Sequence, residues 1–165
     1  MRDDSARWHP PGSSAFDAPG VSVREVSLAR QTMVSGTMVL STYSLAIGWP
    51  DVALGEAYAL CMRRDRVLLV NAGARRDGFD PDTSEAVSDM TDGFAVLALS
   101  GPRALECLQA GAALDPAQPS RSAFRRVFGT DVLLYRHGDE STFRIHVPRA
   151  DLAAFAAALH AAAKD

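Results

Sequence analysis

The second half of the chain carries a fixed order of apolar segments, and this order limits the fold more than any other feature. Apolar runs or strict alternation predict strands, and apolar residues at helical spacing predict helices. The predicted strands are Phe94–Leu99, Ser122–Phe128, Val132–Tyr135 and Phe143–Val147, and the predicted helices are Pro102–Ala110 and Leu152–Leu159. The order of strand, helix, three strands and helix predicts a split βαβ-like unit. The expected fold class is therefore α+β, with a mostly antiparallel sheet and two or three helices.

Local signals in this half predict where elements begin and end. Ser100 is expected to be the N-cap of the first helix, with Pro102 at its first helical position, and Gly111 is expected to end it. Gly129 and Asp131 both tolerate a positive φ, so the stretch between the second and third strands predicts a tight hairpin turn.

The first half is less regular and predicts short strands joined by loops. The predicted strands are Val21–Leu28, Met33–Leu40 with an interruption at Gly36, Glu56–Met62 and Val67–Val70, and the predicted loop is Asn71–Glu85. The last two strands are expected to form a hairpin. Leu60 is expected on the hairpin face that also holds Met62, and the residues expected opposite them are Val67 and Leu69. A helix over Ala53–Met62 is the alternative, because this stretch is rich in helix formers.

Residues 1–20 are rich in proline, glycine and serine, which predicts a flexible N-terminal tail. Trp8 and Phe16 are its aromatic exceptions, and the alternative is that they anchor the tail on a partner. The remaining residues, 21–165, have the length of one domain with a hydrophobic core.

Charge and cysteine content exclude several classes of protein. The net charge is −3 and the pI is about 5.8, so no basic surface predicts nucleic-acid binding. Cys61 and Cys107 lie far apart and in no metal-ligand spacing, which favours a reducing compartment over a disulfide framework or a zinc site. No apolar segment has the length of a membrane span or the pattern of a signal peptide, so the expected location is the cytoplasm.

Histidines are the first candidates for chemistry, but none has a partner at metal-ligand spacing. His146 lies between Ile145 and Val147, so its side chain is expected on the opposite face of the strand. A single histidine on a strand predicts little catalysis. The side chains of His137, Asp139 and Ser141 are those of a hydrolase triad, yet triads are assembled across a fold. An exposed turn is the favoured interpretation.

Two further segments resemble ligand sites only superficially. Ser100-Gly101-Pro102 could present backbone N–H groups to a phosphate, but Pro102 removes a donor and no glycine-rich loop or lysine follows. Asp77, Asp80, Asp82 and Glu85 are acidic but lack the spacing of a calcium loop, which favours a solvated loop.

A cluster of arginines and one cysteine complete the candidates. Arg121 and Arg125 are expected on one strand face and Arg126 on the other, where they could bind a substrate carboxylate or acidic residues of a partner. Cys107 lies one helical turn after Arg103, which could activate its thiolate, but a buried and inert thiol is favoured. No catalytic, cofactor-binding or metal-binding residue is therefore predicted.

The stretch Val87–Ala104 resembles the gamma-subunit family of heterotetrameric sarcosine oxidases. It holds a strand that ends in the family's L-S-G-P-x-A motif. Leu133–Arg136 and Thr142–Arg149 resemble the family's L-L-x-R and T-F-x-L-x-V-P-R strands, and Val23–Val26 resembles its first strand. The family's P-L-D motif is replaced here by Ala113-Leu114-Asp115, and its L-G-P-D-E-W-L segment is missing.

The resemblance implies a building block of a larger enzyme, with no active site of its own. In that family the larger subunits hold FAD, FMN, NAD and the tetrahydrofolate site, so the expected partners are flavin-bearing subunits of a bacterial oxidase of sarcosine or a related N-methyl amine. The fold implied is similar to part of the folate-binding domain of the glycine-cleavage aminomethyltransferase. Residues 21–165 would form a single gamma-like domain.

Two alternatives remain open from the sequence. One is a stand-alone folate-binding or aminomethyl-transfer module that acts as a homo-oligomer, with Asp89 or Asp92 as its acidic residue. The other is an interaction module without a link to one-carbon metabolism.

Overall fold

The computed structural model describes residues 14–164, which fold into strands joined by short turns and three α-helices. The strands are β1 Phe16–Ala18, β2 Val21–Val26, β3 Gln31–Ser35, β4 Val52–Ala53, β5 Tyr58–Arg63, β6 Arg66–Val70, β7 Gly78–Asp80, β8 Glu85–Asp89, β9 Phe94–Ser100, β10 Phe124–Val127, β11 Thr130–His137 and β12 Phe143–Pro148. The helices are α1 Val39–Thr42, α2 Ala104–Gln109 and α3 Leu152–Lys164, and a 3-10 turn at Arg149–Asp151 precedes α3. The predicted α+β class, with mostly antiparallel strands, is confirmed.

The strands form two sheets that pack face to face. The first sheet has the order β1-β2-β9-β12-β11-β10, and β4 pairs with β11 in parallel. The second sheet has the order β5-β6-β3-β8-β7, with antiparallel neighbours throughout. In the first sheet β9 and β11 run in the same direction with β12 inserted between them, so the split βαβ-like arrangement is present.

Alternation in β12 explains the layers. Phe143, Ile145 and Val147 point to one face and are almost fully buried in a cluster with residues of α2 and α3. The opposite face of the first sheet packs against the second sheet, where Tyr135 and Leu133 meet Leu60 of β5. The order of the layers is therefore helices, first sheet and second sheet. None of the described helices is long and apolar enough to cross a membrane.

Several expected boundaries in the first half are wrong. Part of the predicted tail is ordered in the sheet, because Phe16–Ala18 pairs with β2, whereas residues 1–13, including Trp8, lie outside the described residues. The predicted strand Met33–Leu40 ends at Ser35, and Val39–Thr42 is a helical turn. The predicted loop Asn71–Glu85 contains β7, because Gly78–Asp80 pairs with β8.

The hairpin of β5 and β6 is confirmed and the helical alternative over Ala53–Met62 is wrong, but the facing residues differ from the expectation. Leu60 lies opposite Leu68, not opposite Val67 or Leu69. Leu60 and Leu68 point to the first sheet, whereas Val67 and Leu69 point to the outer face that α1 covers. A bulge between Cys61 and Arg63 shifts the register, and strand alternation alone does not reveal it.

Turn residues in the second half also differ from the expectation. The hairpin of β10 and β11 turns on Phe128 and Gly129, which both have positive φ (49° and 78°). Asp131 is instead an ordinary strand residue opposite Arg126. Ser100 is the last residue of β9 and not an N-cap, because β9 pairs with β2 as far as Ser100. The N-cap position of α2 is held by Arg103.

The turn between β9 and α2 requires glycine, and Gly101→Ala is expected to lower the free energy of unfolding by about 2 kcal/mol. Gly101 has φ of 111°, and an added Cβ would lie 2.4 Å from the carbonyl oxygen of Gly20. Urea unfolding measures the loss. The control is Gly129→Ala, which also has positive φ but open space around the added Cβ. Equal losses for both variants would contradict the steric argument.

Candidate functional site

A chain of polar side chains runs through the apolar interface between the two sheets. His146 Nδ1 lies 2.7 Å from Gln31 Oε1, and His146 Nε2 lies 2.8 Å from the hydroxyl of Tyr135. The Tyr135 hydroxyl lies 2.7 Å from that of Tyr58, which accepts a hydrogen bond of 2.9 Å from Arg144. We call these five residues the inter-sheet relay. They come from β3, β5, β11 and β12, so the relay joins both sheets.

The ends of the relay determine the direction of every hydrogen bond in it. The amide nitrogen of Gln31 donates to the carbonyls of Thr91 and Phe94, which leaves its Oε1 as acceptor for the Nδ1–H of His146. His146 then carries its proton on Nδ1 and accepts through Nε2 from Tyr135. At the other end Arg144 can only donate, so Tyr58 accepts from it and donates to Tyr135. The side-chain polar hydrogens of Tyr58, Tyr135 and His146 are therefore all donated within the relay.

Burial keeps the middle of the relay uncharged. His146 is fully buried, and burial, with a smaller contribution from the Arg144 charge, lowers its pKa to about 3. Burial and then the charge and hydroxyl of Tyr58 raise the pKa of Tyr135 well above its usual value. Both groups are therefore neutral at physiological pH.

The sequence predicted the face of His146 correctly but not its partners. Ile145 and Val147 point to the helices, so His146 points to the second sheet, as alternation in β12 requires. Gln31 is 115 positions away along the chain. No local pattern connects residues at that separation, and only the packing of the two sheets brings them together.

A small pocket of about 220 Å³ lies beside Gln31. Asp92 and Arg149 line it, and Arg149 donates to the backbone carbonyl of Asp92 at 3.0 Å. Asp89, the other acidic residue considered for folate, does not line this pocket. Its carboxylate accepts from the backbone N–H of Thr91, and the hydrogen bonds from Thr91 lower its pKa.

His137, Asp139 and Ser141 do not form a catalytic triad. Asp139 Oδ1 accepts from the backbone and hydroxyl of Ser141 and from the backbone of Thr142, and these hydrogen bonds lower the pKa of Asp139. His137 Nε2 is bonded to the carbonyl of Gly55, 3.1 Å away. The carboxylate closes a turn, in agreement with the favoured interpretation.

The acidic cluster also has separate structural tasks. Asp77 accepts from the backbone of Asp89, and Asp80 accepts from the backbone of Asp82. Glu85 is buried and pairs with Arg75 at 3.0 Å. Within residues 14–164 no group of three or more His, Cys, Asp or Glu side chains is arranged to hold a metal ion. The backbone N–H groups expected at Ser100-Gly101-Pro102 do not open a helix, because α2 begins at Ala104.

The structure separates the three arginines that the sequence grouped. Arg125 lies over the ring of Trp49 at 5.9 Å, and burial lowers its pKa. Arg121 instead lines a groove with Arg63 and Arg64. Arg126 is exposed on the edge strand β10.

Cys107 is buried between α2 and α3. Its Sγ lies 3.5 Å from the carbonyl of Leu159. Burial raises the pKa of its thiol and outweighs the opposite effect of the Arg103 charge. The burial expected of this thiol therefore agrees with the structure, and its raised pKa favours the protonated form.

Tyr135→Phe is expected to lower the free energy of unfolding by about 2 kcal/mol, because it leaves the buried His146 Nε2 without a donor and removes the acceptor of the half-buried Tyr58 hydroxyl. Urea unfolding at neutral pH measures the loss. Tyr43→Phe is the matched control. Among the described residues the Tyr43 hydroxyl accepts one hydrogen bond, from the partly exposed Arg75, so a loss of at most about 1 kcal/mol is expected there. Similar losses for both variants would show that the relay is no stronger than a surface hydrogen bond.

Comparisons by sequence identify no relative. No family model matches the chain, and no curated protein matches it.

Comparison of folds identifies similar solved structures. A chain of the heterotetrameric sarcosine oxidase from Corynebacterium sp. U-96, solved in complex with pyrrole 2-carboxylate, superposes with a TM-score of 0.61 at 21% identity, over 90% of this chain and 86% of that one. The glycine cleavage system aminomethyltransferase T from Bartonella henselae superposes with a TM-score of 0.52 at 16% identity, over 85% of this chain but only 45% of that one. The chain thus shares a fold with a chain of the sarcosine oxidase and with about half of the aminomethyltransferase, the two relationships that the sequence resemblance predicted.

Proposed function

We propose that the chain is a non-catalytic structural subunit, of gamma type, in a bacterial, cytoplasmic sarcosine-oxidase-like complex. The parent enzyme would demethylate sarcosine or a related N-methyl amine oxidatively and transfer the one-carbon unit to tetrahydrofolate. The observation that carries the proposal is the fold likeness to a chain of a heterotetrameric oxidase, which extends over nearly the full length of both chains. In this proposal FAD, FMN, NAD and tetrahydrofolate belong to larger partner subunits. Residues 21–165, together with β1, act as one domain.

The inter-sheet relay supports a structural role. A catalytic acid or base must reach a substrate with a free donor or acceptor. Here His146 is fully buried, and both of its ring nitrogens are bonded inside the protein. The arrangement therefore suits alignment of two sheets better than proton transfer to a ligand.

Exposed apolar side chains support a partner. Met38 and Leu45 flank α1 and are 65% and 92% exposed, and Leu54 and Phe79 are also largely exposed. Large apolar side chains exposed at both ends of one helical turn fit an interface that assembly covers.

Copurification of the tagged chain from its native host tests the proposal. We expect larger subunits that carry flavin absorbance and oxidise an N-methyl amine to elute with it. Met38→Glu/Leu45→Glu is expected to weaken the association, whereas Glu56→Gln/Glu140→Gln, on other exposed turns, should not. A chain that elutes alone as a monomer from native lysate would overturn the proposal.

The second candidate is a stand-alone folate-binding module, which the likeness to the aminomethyltransferase favours. Asp92 and Gln31 line the small pocket beside the relay, but its volume of about 220 Å³ is below the range usual for ligands of this size. Calorimetry with tetrahydrofolate distinguishes the two candidates. Saturable heat that Asp92→Asn removes would favour the folate module, and its absence would favour the structural subunit.

A further inference from the structure

A groove with an apolar floor lies where the hairpin of β5 and β6 meets the segment leading into β10. Its volume is about 400 Å³, and Leu40, Met62 and Phe124 form its floor. Two hydrogen bonds fasten its walls together: Ala123 N–H donates to the carbonyl of Cys61 at 2.8 Å, and the hydroxyl of Ser122 donates to the carbonyl of Met62 at 2.6 Å. The groove is therefore preformed.

Three guanidinium groups stand at the rim of this groove. Arg63, Arg64 and Arg121 are all exposed, and the residues lining the groove include no acid. Within the part of the chain that the structure describes, none of the three arginines forms an ion pair. The Arg63 guanidinium lies over the Phe124 ring, 5.6 Å from the ring centre, which places its charge above the apolar floor.

This local charge contrasts with the rest of the protein. The whole chain has a net charge of −3, whereas three exposed arginines that form no ion pair within the described residues meet at this groove. An apolar floor beneath unpaired guanidiniums is complementary to carboxylates that flank a large apolar side chain. A phosphate backbone would use the arginines but would leave the floor uncovered.

We propose that this groove docks an acidic segment of a partner polypeptide, which places one large apolar side chain on the floor and its carboxylates on Arg63, Arg64 and Arg121. Leu40 belongs to α1, the helical turn that the exposed side chains of Met38 and Leu45 flank in sequence. The identity of the partner as a larger oxidase subunit rests on the proposed function. The chemistry of the groove does not.

Fluorescence anisotropy with a short labelled peptide tests the chemistry directly. The probe carries glutamates on both sides of a leucine-phenylalanine pair. One control peptide replaces the glutamates with glutamine, and another replaces the apolar pair with serine. Saturable binding of the probe is expected, and each control peptide should bind about tenfold more weakly or worse.

Charge reversal locates the binding. Arg64→Glu/Arg121→Glu is expected to weaken probe binding by about tenfold or more, and added salt should weaken wild-type binding in the same direction. The matched control is Arg76→Glu/Arg126→Glu, which changes the net charge equally at exposed arginines outside the groove and should alter binding by less than about twofold. Unchanged melting temperatures verify that both variants fold.

The proposal is overturned if the glutamine peptide binds as well as the probe, if the groove variant binds as tightly as wild type, or if a single-stranded oligonucleotide binds more tightly than the peptide. A photo-crosslinker at position 64, with position 126 as control, distinguishes this failure from failure of the proposed function. If an oxidase copurifies, crosslinking from position 64 to an acidic segment of it supports both proposals. If no crosslink forms from position 64, the groove proposal is refuted and the proposed function is not. If no oxidase copurifies, the proposed function fails and the peptide titration alone decides the groove.

Discussion

The free energy of unfolding is expected to fall by about 3 kcal/mol between pH 7 and pH 4 because of His146 alone. Its pKa is lowered from 6.5 to about 3 by burial, with a smaller contribution from Arg144. Well above pH 6.5 the side chain is neutral in both states, so it adds no dependence on pH there. As the pH falls below 6.5, His146 becomes protonated in the unfolded chain, whereas in the folded protein it stays neutral down to about pH 3. The protein therefore loses stability across this window.

His146→Gln isolates this effect from general acid denaturation. A glutamine amide can donate to Gln31 and accept from Tyr135, but it does not titrate. The measurement is urea unfolding of both proteins at a series of pH values. The difference in the free energy of unfolding, wild type minus variant, is expected to fall steadily below pH 6.5. If the free energies of unfolding of the two proteins fell in parallel below pH 6.5, His146 would not be the cause of the loss of stability in acid.

Trp49→Ala is expected to lower the free energy of unfolding by about 4 kcal/mol, because the largest side chain of the core would leave a cavity. Trp49 is only 2% exposed and stacks on Phe143 at 6.2 Å. Its indole N–H donates to the carbonyl of Asp115 at 3.2 Å, and Arg125 lies over its ring. The indole thus joins the segment before β4 to the first sheet and to the segment before β10.

Two substitutions calibrate this result. Trp49→Phe keeps most of the apolar contact and loses the hydrogen bond, so an intermediate loss of about 2 kcal/mol is expected. Leu45→Ala removes an exposed leucine from the same segment and should change stability by less than about 0.5 kcal/mol. Chemical unfolding at neutral pH compares the three variants. A loss for Trp49→Ala no greater than that for Leu45→Ala would contradict the packing role.

Elements with one periodic pattern could be predicted from sequence. The alternation of Phe143, Ile145 and Val147 predicted β12 and its buried face, and the spacing of Leu152, Phe155 and Leu159 predicted α3. The ends of elements that depend on pairing with a distant strand could not be predicted in this way. Ser100 resembles an N-cap locally, yet the partner strand β2 extends β9 through it. Tertiary pairing overrode the local signal there.

The candidate sites show the same division more sharply. The sequence by itself determined the α+β class, the order of elements in the second half, the face of His146 and the resemblance that the fold comparison confirmed. These depend on local spacing or on motifs a few residues long. Only the tertiary structure brought Gln31, Tyr58 and Tyr135 to His146, and Arg63 and Arg64 to Arg121. Those contacts arise where two sheets and two distant turns pack together, and no periodicity along the chain encodes that proximity.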